Sequence, residues 1–442
     1  MSTHHSKKSS ACWYAEALCL GITVGFSEVL LAIYYGSKDI DSVALAIFMT
    51  VPAAFGALTQ AALTRSRKWF QSARTLAIFS IAVQVAGLLM IANALYTNET
   101  DYIRMFICQC LYWMGGMTSS SPTQEILANG VDASQHNRFF SRRAMVMTIL
   151  TLACNLSSAN ILNRGLTGDL MAKFLLLAAL ARGISLALIF FFADKSESPQ
   201  TGNATSEKSE ENDTVFVSIL QLSLVMMLFR CAVNISSPFF TAYMLRDIHL
   251  DFAVYSMLTA IPLITKTICL TNWARLLDDN RKFEGLAIAT AAIGAVPVMW
   301  AFWTSPYWLS VLQIISGLSW AGFDLISILL VQNMYPRSIT QKLGLYMAFS
   351  SIGSVAGGVL GGLILRATGS YHTLFAVSGI LRLVTGFAFL WYLRRNHLFR
   401  FHDLHLKSGL ATLMTVRPSI EAAAKILPFH PRKDSKPKDL AS

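Results

Sequence analysis

Ionisable residues deep inside long apolar runs of the chain include Glu28, Arg182, Arg230, Lys266, Asp324 and Arg382. A charge surrounded by hydrocarbon is costly, so such residues face a protein interior or a water-filled path, and chemistry is sought there first. A carboxylate taken out of water can take up and release a proton as its surroundings change. Glu28 and Asp324 are therefore candidates to couple proton movement to that of a solute, with Arg230 and Lys266 beside them. The static alternative is that either carboxylate neutralises Arg230 or Lys266 in a fixed ion pair. Both signs of charge are present, so the solute's own charge stays open. Arg182 and Arg382 occupy matching places in the two halves of the chain. That symmetry favours a structural role, with each guanidinium bonding carbonyls inside its own half.

Polar and aromatic residues extend this set. Trp113 and Trp320 each lie two residues before a glycine; their rings could stack on a ligand or simply pack between helices. Tyr34, Gln124, Glu125, Asn234 and Tyr243 could hydrogen-bond a solute, or equally bond neighbouring helices. Pro238 and Pro262 interrupt helical runs and allow bending. Gly353, Gly357, Gly358, Gly361 and Gly362 suit close helix contact. Soluble catalytic and cofactor signatures are missing: there is no GxxxxGK[ST] phosphate loop, HExxH, paired CxxC or GxSxG. No enzyme activity, cofactor or metal is expected. The seven cysteines lie in or beside apolar runs and read as small packing residues.

These residues are carried by an unusually apolar chain. Of 442 residues, 54% are hydrophobic and only 14% charged, against about 25% charged in soluble domains. At about 20 apolar residues per spanning helix, this stock fills roughly twelve helices. Soluble enzymes, disordered proteins and disulfide scaffolds are excluded. A barrel is excluded too, because its strands alternate rather than run apolar. Apolar runs fall near 12–36, 42–63, 72–95, 103–129, 144–163 and 171–193, then near 215–244, 252–273, 283–303, 307–334, 343–366 and 371–394. The first is too long for a signal core and is expected to span. The polar stretch 194–214 reads as a flexible linker.

The net charge of +11 is mainly a matter of topology. Most Lys and Arg fall in the N-tail (1–11), alternate connections, the linker and the basic tail (395–442). The other face carries only Lys38, Arg104, Arg164, Lys173, Arg246 and Arg366. Such asymmetry places both termini in the cytoplasm. It accounts for the basic balance without nucleic acid, which is not an expected partner. The tail segment 408–427, with basic flanks, could lie on the lipid surface.

The two halves also echo each other. Asp41, Pro52 and Arg65 return at Asp251, Pro262 and Arg275, each 210 residues on. Tyr35 to Ile40 matches Tyr243 to Ile248, and Trp113-Met-Gly115 matches Trp320-Ala-Gly322. The reading is an all-α polytopic membrane protein of twelve helices in two six-helix bundles, 12–193 and 215–394. Parallel halves around a central linker are a transporter architecture in which two bundles rock about a central cavity.

Over about residues 12–394 the chain resembles the major facilitator superfamily. Three stretches are similar to a bacterial branch of mostly unassigned substrate: Ser120–Glu125 with Asn137–Arg143, Pro238–Asp247, and Ser316–Leu325. The resemblance implies that helices one, four, seven and ten line the cavity, which places Glu28, Arg230 and Asp324 best and Lys266 less centrally. It also implies a charged cytoplasmic gate at Arg65 and Arg67, with Arg275, Asp278 and Asp279 as the second-half copy. The first copy, Leu63-Thr-Arg65-Ser-Arg67-Lys68, lacks the family's acid and glycines. The expected activity is proton-coupled solute transport, a symport, by a monomer in the bilayer of the bacterial inner membrane. The rival is a family-derived protein that no longer transports and instead senses a ligand or scaffolds partners.

Overall fold

The computed structural model describes residues 2–65, 70, 72–97, 102–131, 136–163, 165–193, 213–278, 282–334 and 339–396. Long helices dominate: α1 Ser2–Ser37, α2 Ser42–Arg65, α3 Ala73–Tyr96, α4 Tyr102–Asn129, α5 His136–Leu162, α6 Gly168–Phe192, α7 Asp213–Asn234, α8 Phe252–Asp278, α9 Lys282–Trp300, α10 Pro306–Met334, α11 Ile339–Thr368 and α12 Tyr371–Arg395. Ser72, Thr167 and Ser370 cap α3, α6 and α12, each hydroxyl accepting from the backbone N–H three residues on. The α1 helix begins within the segment 1–11 expected to be a tail. Most of the linker, and the tail beyond Asn396, lie outside the described residues.

Two elements depart from the expected runs. The seventh run is not one helix. After Asn234 the chain passes through a 3₁₀ turn at Ser237–Phe239, then a helical step and a wide π turn at Tyr243–Asp247. Pro238 lacks an N–H to donate, which favours a break there, whereas Pro262, expected to interrupt its run, lies inside an unbroken α8. Among the described residues, eleven helices are long and apolar enough to span a membrane, rather than twelve. The exception is α4, whose second half reads Thr118-Ser-Ser-Ser-Pro-Thr-Gln-Glu125. It is as long as its neighbours but polar, and it packs on α3 and α2 inside the first bundle.

Packing repeats with a step of six helices. The pairs α1–α5, α1–α6, α3–α4, α3–α6 and α2–α4 recur as α7–α11, α7–α12, α9–α10, α9–α12 and α8–α10. The bundles meet through α2 against α11 and α5 against α8, which exchange under the same step. The sequence echo is thus a structural duplication.

The apolar core shows where the bundles join. One continuous cluster, including Leu30, Tyr35, Leu45 and Leu95 of the first half and Phe239, Tyr243, Leu258 and Phe375 of the second, spans both bundles toward the Lys/Arg-poor face. Toward the basic face it splits. Trp13, Ala77, Leu127 and Ile189 form a core within the first bundle, and Phe229, Trp273, Phe323 and Phe389 form another within the second. Among the described residues the apolar core is thus shared between the bundles at one face and separate within each bundle toward the other.

The seal is polar as well as apolar. The Arg246 guanidinium of the second half donates to the Gly36 carbonyl at 2.7 Å and the Tyr35 carbonyl at 3.1 Å, at the end of α1. Cations suit such a helix C-terminus. Asn163 accepts from the Phe252 N–H at 2.9 Å, and Ser42 donates to the Gly362 carbonyl at 2.9 Å. The α11 glycines make the close approach possible. A Cβ at Gly361 would collide with the Ile235 carbonyl just after α7, and one at Gly362 would stand 2.8 Å from the Val43 Cα of α2. Gly362→Val should therefore push α2 from α11 and lower stability by about 1–3 kcal/mol. Thermal unfolding in detergent checks this, against Gly344→Ala, where an added Cβ meets nothing within 4 Å and stability should hold.

Candidate functional site

Three of the intramembrane charges converge in the second bundle. Lys266 on α8 donates to Asp324 Oδ2 at 2.7 Å, and Arg230 on α7 reaches Asp324 Oδ1 at 3.4 Å. A single carboxylate thus bridges two cations from two other helices. The side chains of Lys266, Asp324 and Arg230 keep 42%, 31% and 26% of their surface accessible, so the cluster borders open space at membrane depth. The Arg230 guanidinium lies 5.3 Å from the Trp320 ring centre and 5.7 Å from that of Phe323, within cation–π range. Lys266, expected to be less central, makes the shortest contact of the three.

Asn234 sits one turn beyond Arg230. Its amide donates to the Arg230 carbonyl at 2.9 Å and to Ser354 Oγ of α11 at 3.0 Å. It ties α7 to α11 just before α7 breaks. Tyr243 is fully buried in an aromatic cluster with Trp300, Tyr371 and Phe375, and among the described residues its hydroxyl has no hydrogen-bond partner.

Glu28 lies apart from that cluster, in the first bundle. The Tyr112 hydroxyl of α4 approaches its Oε1 at 3.5 Å and stands 2.7 Å from Ser27 Oγ. Among the described residues no cation lies within 4 Å of its carboxylate. The fixed pairing of Glu28 with Arg230 or Lys266 is therefore not the observed arrangement; Asp324 takes both cations. Tyr34 meets Tyr35 edge-on and carries the Lys38 ammonium 5.5 Å over its ring, near the sealed face. Trp113 packs edge-on against Tyr112. Gln124 is exposed and Glu125 half-buried near the basic end of α4, away from both carboxylates. The gate residues are not positioned: Arg67 and Asp279 lie outside the described residues, as do the side chains of Arg65, Arg275 and Asp278.

A second charged network was not anticipated. Glu16, in the first apolar run, is fully buried and pairs with Arg143 of α5; Arg182 NH1 of α6 lies 3.6 Å from its other oxygen. Arg182 also donates to Gln84 Oε1 at 2.7 Å, Ser119 Oγ at 2.8 Å and Ser185 Oγ at 3.0 Å. This corrects the expectation that Arg182 bonds carbonyls; its partners are side chains from α1, α3, α4 and α6. Arg382 does meet carbonyls, at Val233 and Ile293, with Ser236 and Ser378. Glu16 is an acid in an apolar run like Glu28, and its place near the run's basic end hid the signal. Arg143 was masked by the topology reading of its basic neighbours.

Removing one partner of a buried ion network leaves the others uncompensated. Glu16→Gln should therefore lower stability by about 3 kcal/mol. Asp169→Asn, which breaks the exposed pair with Lys173, should leave unfolding unchanged. Denaturation in detergent compares the two.

Duplicated six-helix bundles, sealed at one face and bearing charges at membrane depth, define a polytopic transporter fold. Comparison with known proteins agrees. Residues 222–417 match the family model of the Major Facilitator Superfamily. Among solved structures, the nucleoside transporter NupG has 16% identity and a TM-score of 0.71, covering 87% of this chain and 99% of its own. The peptide transporter POT, at 13% identity, has a TM-score of 0.68 and covers 89% and 96%. A D-xylose-proton symporter, at 12% identity, has a TM-score of 0.62 and covers 86% and 96%. Comparison with curated protein sequences gives no match. The second half of the chain thus matches the Major Facilitator Superfamily model, and the chain as a whole shares the fold of these solved membrane transporters, with eleven helices long and apolar enough to span a membrane among the described residues.

Proposed function

We propose that this protein is a secondary active transporter that moves a small solute by alternating access and draws on a proton gradient. The observation that carries the reading is the Lys266–Asp324–Arg230 cluster. It joins three helices, lies at membrane depth and stays partly accessible. A purely structural ion pair would be expected to close on itself, as Glu16 does in the first bundle. The separation of the two apolar cores toward the basic face supports an inward-facing state, with both termini cytoplasmic. The seal at the other face, made by Arg246, the Asn163–Phe252 contact and the α2–α11 approach, is what must open in the outward-facing state.

In this mechanism Asp324 holds Arg230 and Lys266 in place while the site is empty. Arrival of solute, or of a proton on the carboxylate, loosens that grip and frees one cation. The energy needed to expose an unpaired cation inside the membrane then links site occupancy to bundle movement. Glu28 faces no cation among the described residues and is the second proton-carrying candidate, with Tyr112 as its hydrogen-bond partner. The transporter works as a monomer in the bacterial inner membrane. The solved structures of similar fold are named for nucleosides, peptides and D-xylose, which leaves the solute of this chain to its own site chemistry.

Metabolite uptake compared between cells with and without the gene identifies the solute. In proteoliposomes with that solute, Asp324→Asn should cut gradient-driven accumulation at least tenfold while the protein stays monodisperse. Glu28→Gln should keep downhill exchange but lose the response to an imposed proton gradient. Unchanged coupling in both variants contradicts the proposal. So does wild-type protein that binds solute but carries no flux, the behaviour of a sensor.

A further inference from the structure

Arg182 and Arg382 sit 200 residues apart at matching places on α6 and α12. Their surroundings match only in part. Arg182 bonds Gln84 of α3, and Arg382 bonds the backbone at Ile293 of α9, the position 209 residues on. Arg182 also has Glu16 as counter-charge. An offset of 208 from Glu16 reaches Leu224, flanked by Ser223 and Val225, so α7 supplies no acid there.

Arg382 is consequently a guanidinium only 4% exposed whose acceptors are all neutral. Four of its five N–H groups are used by two carbonyls and two serine hydroxyls; among the described residues the fifth has no acceptor, and no carboxylate touches the side chain. Hydrogen bonds to neutral groups satisfy donors but leave the net charge in a low-dielectric interior, which is costly.

A cavity of about 210 Å³ adjoins this uncompensated charge. Arg382, Gln313 and Ser316 supply polar lining, and Phe240, Trp300 and Trp320 supply aromatic walls. Trp320 also forms the face under Arg230, so the cavity and the Asp324 cluster share a wall. Through the middle of the second bundle, the cations Arg230, Lys266 and Arg382 outnumber the one carboxylate, Asp324.

We propose that this cavity binds a small organic acid, its carboxylate supplying the missing counter-charge to Arg382 and its apolar body resting on Phe240, Trp300 and Trp320. Arginine suits a carboxylate or a phosphate equally by charge. The aromatic walls select the organic anion, because inorganic phosphate would leave them unfilled. The volume is below that of drug-sized pockets, roughly 300–1,000 Å³, so the body is no larger than a single ring. The inference rests on the transport reading in that it names the class of solute.

Isothermal titration of the purified full-length protein in detergent tests it, with benzoate, its neutral isostere benzamide and inorganic phosphate as probes. Benzoate should bind saturably, with benzamide and phosphate at least tenfold weaker. Arg382→Gln should weaken benzoate at least tenfold. Should that variant fail to fold, Ser316→Leu, which fills the cavity without touching the arginine's bonds, should produce the same loss at unchanged thermal stability. Equal binding of benzamide, equal binding of phosphate, no benzoate binding, or full binding by folded Ser316→Leu would each overturn the proposal. Titration uses no gradient, so the two readings fail separately. Benzoate binding without solute flux sinks transport alone, and flux without benzoate binding sinks the organic-acid site alone.

Discussion

One carboxylate, Asp324, holds two cations at membrane depth, and much of the second bundle is arranged around that fact. Lys266 comes from α8, Arg230 from α7 and the carboxylate from α10, so the charge balance can be kept only while three helices hold their relative places. Trp320 and Phe323 add aromatic faces over Arg230. Each makes the guanidinium easier to keep in a site poor in water. Anything that changes the charge on Asp324, or offers its cations another partner, alters the preferred packing of α7, α8 and α10 together. That is the physical property a gradient-driven machine needs.

The first bundle handles the same constraint differently. Glu16, Arg143 and Arg182 form a closed network supplemented by Gln84, Ser119 and Ser185. With its acid fully buried on α1 and partners from α3, α4, α5 and α6, it ties five helices of the bundle together. The second bundle repeats the helix pairs but lacks an acid at the place of Glu16. The two halves share the scaffold and the arginine, and only the first carries the counter-charge. The two halves are thus alike in packing and unlike in electrostatics, as expected if one serves as frame and the other carries most of the site.

Much of the fold was legible because hydrocarbon thickness and backbone hydrogen bonding leave few options for apolar runs of this length. Helix number, the six-plus-six duplication and the α11 glycine stripe all follow from periodicity and spacing. The break in α7 was only half visible: Pro238 marked the place, but not the 3₁₀ and π turns around it. The polar second half of α4 blended into its apolar first half. At the site, the charges on α7, α8 and α10 stood out singly. Which of them meet depends on helix rotation, which residue spacing along separate helices does not encode. Glu16 was missed for a different reason: an acid one turn inside a run looks like a boundary residue until its partners from α5 and α6 are seen.

The core shared by the bundles at one face and divided toward the other makes alternation between two faces the central claim. It is tested most directly by spin-label distances in lipid bilayers, with native reactive cysteines replaced. One pair, Ile161→Cys and Met257→Cys, reports on α5 and α8 near the sealed face; another, Phe192→Cys and Arg395→Cys, spans the ends of α6 and α12 on the basic face. Rocking of the two bundles predicts two distance populations for each pair. The short distance of one should accompany the long distance of the other, and their ratio should shift when solute or acid is added. A single unchanging distance for each pair, with and without solute and across pH, would contradict alternating access.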